Sequence, residues 1–191
     1  MTSKSKRNHI CNVFSLKPEL HLPLFWESYN ELNINEGDTL DSGVFKVTSD
    51  RKYQPEIAGA HGLDIASEAT VIIYIAKDVT LTCLGRAGNR TINGGAGISL
   101  PASSTLIICG QGRLVASGGD IEYLVADNDE LWDDFSLPGA GIGGPGGPGA
   151  NPGGVQGAGT NGRYMGTLYL LDSVVIVATA GNCPDGGRTV N

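Results

Sequence analysis

A pattern that recurs at fixed offsets constrains this chain more than any single motif does. The string TVII at 70–73 returns 35 positions later as TLII at 105–108, and a further 62 positions on as TLYL at 167–170. The offset of 62 also places Leu114 over Ile176, and the offset of 35 places Val79 over Leu114. Self-similarity of this kind is typical of stacked units that cannot bury their apolar faces alone. The sequence therefore predicts a repeat architecture.

Each unit reads as three short strands. Runs of β-branched and apolar residues lie on both sides of a tight turn, and a third short segment precedes each pair. The three copies of that segment are Gly62–Leu63, Gly97–Ile98 and Gly141–Ile142. The last two copies are 44 positions apart, which is the offset of 62 less the 18 residues that the Gly/Pro tract adds after the last copy. We predict an all-β fold, namely a β-solenoid and specifically a right-handed parallel β-helix. This prediction is preferred to a β-sandwich because the strand pairs keep a constant register.

The first 36 residues do not match the repeat and are assigned to an N-terminal cap. Apolar residues at 25, 29 and 32 have helical spacing, and Pro23 suits a first helical turn, so the cap is predicted to be helical. Residues 37–191 are assigned to the solenoid, with a partial first rung at 35–49 and a Gly/Pro-rich insertion at 139–163. Because no cap is evident after the last repeat, we expect the stack to continue in a longer protein or a neighbouring subunit.

Composition limits the partners that the chain can have. The formal net charge of −7 argues against nucleic acid, which requires clustered Lys and Arg. No run is long enough for a membrane span, and no apolar segment typical of a secretory signal follows the basic N-terminus. The four cysteines form no metal-binding pair, and Cys83 and Cys109 fall in strands, so both are predicted to be buried thiols.

An acidic segment supplies the candidate binding site. Residues 127–134 contain five carboxylates around Trp132. Aromatic faces beside acids resemble a sugar subsite, and clustered oxygen ligands suit Ca²⁺, while a solvated loop is the alternative. The predicted ligand-binding residues are Tyr123, Asp127, Asp129, Trp132, Asp133 and Asp134. The predicted calcium ligands are Asp127, Asp129, Glu130 and Asp133.

Two other chemistries fit the residues less well. The tract at 139–154 has the Gly-x-Gly spacing of a nucleotide site, but such a site needs a following helix and no helical pattern follows the tract. The tract is therefore interpreted as packed polyproline-II-like segments or as an exposed loop. A polysaccharide lyase or glycoside hydrolase would need acids, with or without a base, along one groove. Asp120, Glu122, Asp127 and Arg113 are the candidates for such a groove, and no catalytic residue is assigned.

Glycine-rich strings carry a resemblance to known proteins. GAGI at 95–98, GQGRLVASGG at 110–119 and GAGIGG at 139–144 resemble the repeats of bacterial β-helical surface proteins over about residues 62–182. The Gly/Pro tract also resembles the glycine-rich tips of phage tail-fibre adhesins. This resemblance implies an extracellular, cell-surface or virion protein that acts as an adhesin or structural module.

The sequence therefore predicts a non-enzymatic β-helix that recognises a glycan or a protein surface. Its contact face is predicted to be formed by loops 84–96, 120–135 and 139–163, since insertions on one side of a regular core create binding surfaces. Two alternatives stay open, namely a subunit that assembles end to end into a homo-oligomer or filament, and a polysaccharide-active enzyme.

Overall fold

The computed structural model describes residues 29–35, 37–89, 92–121, 137–144 and 165–182, and these residues form an all-β structure of parallel strands. In chain order the strands are β1 (Asn30–Glu31), β2 (Thr39–Leu40), β3 (Gly43–Val47), β4 (Arg51–Tyr53), β5 (Leu63–Ile65), β6 (Thr70–Ile75), β7 (Thr80–Leu84), β8 (Ile98–Ser99), β9 (Thr105–Gly110), β10 (Arg113–Ser117), β11 (Ile142–Gly143), β12 (Thr167–Leu170) and β13 (Val175–Thr179).

The strands stack into three sheets. Sheet A has the order β1-β3-β6-β9-β12, sheet B has β2-β5-β8-β11, and sheet C has β4-β7-β10-β13. Each successive trio from β2 onward contributes one strand to each sheet, which gives rungs 1 to 4, and β1 lies beside β3 below rung 1. This arrangement is the β-solenoid that the repeats predict. The hand of the coil stays a prediction.

The predicted offsets match the observed pairing in sheets A and B. Thr105 pairs with Thr70 on one side and with Thr167 on the other. Ile98 pairs with Ile142, which confirms the offset of 44 between the third and fourth rungs. The first rung, predicted to be partial, contributes a strand to all three sheets.

One predicted register is wrong by two residues. Leu114 pairs with Leu81, not with Val79. Four residues separate β6 from β7, whereas only Gln111 and Gly112 separate β9 from β10. A shorter turn moves the following strand without changing the preceding one, so the offset falls from 35 in sheet A to 33 in sheet C.

The interior of the coil is a stack of apolar columns. Ile73 and Ile108 are fully buried and pair in adjacent strands of sheet A, and Leu81 and Leu114 do the same in sheet C. Strand residues alternate between the two faces of a sheet, so each rung adds one layer to every column. Burial of these columns is the main favourable term in the stability of the coil.

The helical prediction for the N-terminal segment is wrong where the structure describes it. Asn30 and Glu31 form β1, which pairs in parallel with Phe45 and Lys46. Leu32, predicted to lie on a helical face, is fully buried, and its N–H donates to the Lys46 carbonyl at 2.8 Å. A short helix is marginal by itself, whereas the free edge of β3 offers ladder hydrogen bonds. Residues 1–28 lie outside the described residues.

Two cysteines occupy strand positions and are buried, as predicted. Cys83 is in β7 and faces the interior, while the Cys109 Sγ donates to the Ile73 carbonyl at 3.7 Å. Burial raises the pKa of each thiol to about 12. Both cysteines are therefore poor nucleophiles at neutral pH.

Candidate functional site

The predicted acidic binding site falls in a segment that the structure does not describe. The residues concerned are Tyr123, Asp127, Asp129, Glu130, Trp132, Asp133 and Asp134, all within 122–136. The flanking residues are placed, because Ile121 donates its N–H to the Asn182 carbonyl and Leu137 donates to the Asn93 Oδ1 atom at 2.9 Å. The residues on either side of the segment are therefore bonded to the coil at the junction of sheets C and B.

Long connections border sheet B on both of its sides. Residues 85–97 and 118–141 lead from sheet C into sheet B, and residues 144–166 lead from sheet B into sheet A. The turns from sheet A to sheet C are short in every rung. The three predicted contact loops thus leave from two corners of the coil, not from one side of it, and sheet B is the element that they share.

Extended segments at the junction of sheets C and B pack against one another. We call them the glycine seam, which comprises residues 59–62, 85–88, 94–97, 118–120, 137–141 and 180–182. Segments leaving sheet C alternate with segments entering sheet B. Gly119 donates to the Gly95 carbonyl at 2.7 Å, Gly139 donates to that of Gly119 at 2.9 Å, and Gly181 donates to that of Gly139 at 2.9 Å. Backbone hydrogen bonds therefore link all of the upper rungs at this corner.

Glycine is required in the seam because backbone approaches backbone there. A Cβ atom on Gly95 would overlap the Ala60 carbonyl, and one on Gly139 would overlap the Gly95 carbonyl. The chain contains 29 glycines among 191 residues, and the seam explains why several of them are needed. The tract at 139–154 was interpreted as packed polyproline-II-like segments or an exposed loop. Its first residues, 139–141, lie in the seam, and residues 145–154 lie outside the described residues.

A polar cleft lies where the seam meets rung 1. It has a volume of about 320 Å³ and is bounded by β4, the turn after Leu32, and the start of β5. The polar or aromatic side chains that matter for its chemistry are Asp38, Lys52, Tyr53, Gln54, His61 and Asp64. Sequence reasoning missed this cleft.

His61 is held in one orientation by the next rung. Its Nδ1 accepts the N–H of Ala96 at 2.9 Å, so the neutral imidazole carries its proton on Nε2. The corresponding positions before the glycine of later rungs are Ala96 and Ala140. A histidine among alanines at equivalent repeat positions is the sequence signal that could have revealed the cleft.

Burial and the neighbouring Asp64 carboxylate act on the pKa of His61 in opposite directions. Burial lowers the pKa of His61 below its ordinary value of 6.5, while the nearby Asp64 carboxylate opposes that shift. Lys52 lines the same cleft, and neither its ammonium group nor the Asp64 carboxylate has an ion-pair partner among the described residues. The cleft therefore presents separate donors and acceptors instead of an internal salt bridge.

The rim of the cleft is fixed by local hydrogen bonds. The Tyr53 hydroxyl donates to the Leu32 carbonyl at 2.9 Å, and burial raises the pKa of Tyr53. Asp38 accepts the backbone N–H and the side-chain amide of Asn35 through a single oxygen, Oδ2. These bonds hold the ring of Tyr53 and the Asp38 carboxylate in place before any ligand binds.

The residues predicted for an enzymatic groove are dispersed where they can be placed. Arg113 begins β10 and Asp120 follows its end, so the two lie at opposite ends of a strand whose five residues span about 13 Å. The Asp120 Oδ1 atom accepts the N–H of Asn182 at 2.6 Å, which joins rungs 3 and 4. Glu122 and Asp127 lie outside the described residues.

Within the described ranges, no cluster of three or more His, Cys, Asp or Glu side chains could hold a metal ion. In the same ranges no helix is long and apolar enough to cross a membrane. Comparison of the chain with protein-family models, with curated proteins and with solved structures gave no match. No relative therefore supplies a function or a site residue.

Proposed function

We propose that this chain is a surface-recognition module in which a parallel β-helix presents binding segments to a glycan or a protein surface. The observation that supports this proposal is that all three long connections border sheet B, whereas the turns elsewhere are short. A rigid scaffold with long connections at one element is a common arrangement for recognition. Extracellular, cell-surface or virion location is part of the proposal.

The acidic segment at 127–134, together with Tyr123, is the proposed contact. Trp132 and Tyr123 would stack on a sugar ring, and Asp127, Asp129, Asp133 and Asp134 would accept hydrogen bonds from its hydroxyls. Calcium would bind to Asp127, Asp129, Glu130 and Asp133. The support for these roles is chemical composition together with the fixed ends at Ile121 and Leu137.

A glycan array tests this proposal directly. The purified chain is applied with Ca²⁺ and with EDTA, beside Trp132→Ala and the matched control Trp26→Ala, which changes the other tryptophan. We expect binding that Trp132→Ala abolishes and Trp26→Ala preserves, with a lower signal in EDTA. Absence of binding to every glycan would overturn glycan recognition.

A second candidate function, end-to-end assembly, is favoured by rung 4. In one core column of sheet A, Ile73 and Ile108 are fully buried, but Leu170 is 41% exposed. The rung 4 strands β12 and β13 contain no charged residue, although exposed sheet edges are usually protected by charges. A further rung from a second copy would cover this surface.

Sedimentation velocity and electron microscopy over a range of concentrations test the assembly. Leu170→Lys places a charge on the interior side of rung 4, and the control Val175→Lys places one on the outer side of β13. We expect assemblies that Leu170→Lys disrupts and Val175→Lys retains. A monomer at every concentration would exclude this function.

A further inference from the structure

We propose that the polar cleft at rung 1, between β4 and the start of β5, binds a single neutral sugar residue. This inference rests on the proposed recognition of glycans and adds a second subsite, separate from the acidic segment. It is carried by Lys52, His61 and Asp64, which line one cavity and form no hydrogen bond to one another among the described residues.

Unpaired polar groups that converge on a cavity indicate a ligand that can satisfy them. Half-buried polar groups are costly when they have no partner, and proteins usually pair them internally. His61 and Asp64 are half-buried, whereas Lys52 is exposed. Among the described residues, His61 bonds only through Nδ1, toward the Ala96 N–H, so its Nε2–H can donate to a ligand. Within the same residues, the Asp64 carboxylate and the Lys52 ammonium group have no hydrogen-bond partner, so the first can accept from a ligand and the second can donate to it.

The balance of charge favours a neutral, hydroxylated ligand over an anion. Among the described residues that line the cleft, Lys52 is the one cation and Asp38 and Asp64 are two carboxylates, so anions outnumber cations. A phosphate or sulfate would be repelled by the two carboxylates. A sugar hydroxyl both donates and accepts, so one hydroxyl can bridge an acid and an ammonium group.

The size and the walls of the cleft also fit a sugar. Its volume of about 320 Å³ lies at the lower end of the range for small-molecule sites, about 300 to 1,000 Å³. The Tyr53 ring, held through its hydroxyl by the Leu32 carbonyl, and the buried Pro55 supply apolar surface for the C–H face of a sugar. Because the orientations of His61 and Tyr53 are already fixed, binding requires little further ordering.

Titration with methyl glycosides, followed by two-dimensional amide and imidazole NMR of the full chain, tests the inference. The probes are methyl α-glucoside, methyl α-galactoside and methyl α-mannoside at millimolar concentration. We expect one of them to shift the resonances of His61, Gly62 and Asp64 together with the His61 ring protons.

Asp64→Asn is nearly isosteric and is expected to weaken that glycoside about tenfold, because a hydrogen bond to a charged group is lost. The matched control is Asp78→Asn, which changes an exposed turn residue with φ of 62°, a conformation that asparagine tolerates. Lys52→Gln, compared with the exposed turn variant Lys77→Gln, repeats the test without altering sheet B. Both controls should bind as the unmodified chain does.

The results separate this inference from the proposed function. Binding of the methyl glycoside that survives Trp132→Ala and is weakened about tenfold by Asp64→Asn and by Lys52→Gln supports the cleft. Glycan binding that both cleft variants retain within about twofold overturns the cleft but leaves recognition through the acidic segment intact. Absence of binding to any glycoside or glycan overturns both.

Discussion

The three sheets and the glycine seam belong to the same coil, but they are packed in different ways. In the sheets, side chains fill the interior, as with Leu81 and Leu114, which are fully buried and paired. In the seam, backbone packs on backbone, and the Gly119 N–H reaches the Gly95 carbonyl at 2.7 Å. The sheets depend on apolar volume, whereas the seam depends on the absence of a side chain.

This difference teaches which changes each region should tolerate. A sheet position can lose a methyl group and leave a small cavity, which costs stability in proportion to the cavity. A seam position cannot gain a methyl group, because the overlapping atom belongs to the backbone and cannot rotate away. Small-to-large changes should therefore be worst in the seam, and large-to-small changes should be worst in the sheets.

The largest effect is expected for Gly139→Ala. The added Cβ would overlap the Gly95 carbonyl and displace the hydrogen bonds that Gly139 makes with Gly119 and Gly181. We expect the free energy of unfolding, measured with denaturant, to fall by at least about 3 kcal/mol. The control, Ala140→Gly in the same segment, should cost about 0.5–1 kcal/mol. A loss under about 1 kcal/mol for Gly139→Ala would show that the seam can relax.

A matched pair of truncations in one column tests the sheets. Ile108→Ala should lower the free energy of unfolding by about 2–5 kcal/mol, because the residue is fully buried between rungs. Leu170→Ala, one rung higher in the same column, should cost about 1 kcal/mol, since the side chain is already 41% exposed. Equal losses for the two variants in dilute solution would mean that Leu170 is buried in solution and would contradict the exposed rung 4. If a second copy covers rung 4, the loss for Leu170→Ala should grow when the measurement is repeated at higher protein concentration.

The smallest expected effect is on the pH dependence of the free energy of unfolding, and it comes from His61, where the seam meets the cleft. Folding lowers the pKa of His61 below 6.5, so the unfolded chain takes up the proton more readily. Stability from His61 is therefore complete above pH 6.5 and falls as the pH drops through the folded value. His61→Gln should remove this part of the acid loss, and Asp64→Asn should enlarge it, because Asp64 favours the charged imidazole. Denaturant titrations between pH 8 and pH 5 measure both, and identical pH profiles for all three chains would contradict the assignment.

Much of the coil could be predicted from the sequence, because its rungs are built from local repeats. The pairing of Thr70, Thr105 and Thr167 followed from offsets alone. The register of Leu114 did not, since a turn shorter by two residues shifts a strand without leaving a periodic signal. The helical assignment near Leu32 was wrong because the free edge of β3, a distant element, outweighed local spacing.

The candidate site was less predictable than the fold. A repeat pattern identifies positions that have the same kind of residue in every rung. The cleft is formed by residues that occur in one rung only. His61 replaces the alanines of later rungs, while Lys52 and Asp64 belong to different sheets. These three side chains come together only because the strands of rung 1 lie against the glycine seam.

By itself, the sequence determined the strands, the three-strand rung and the burial of Cys83 and Cys109, because apolar alternation and repeat spacing are local properties of the chain. Only the tertiary structure decided where the glycines pack, which corners carry the long connections, and that Lys52, His61 and Asp64 line one cleft. These features arise from contacts between segments far apart in the chain, whose positions are set by the stacking of whole rungs.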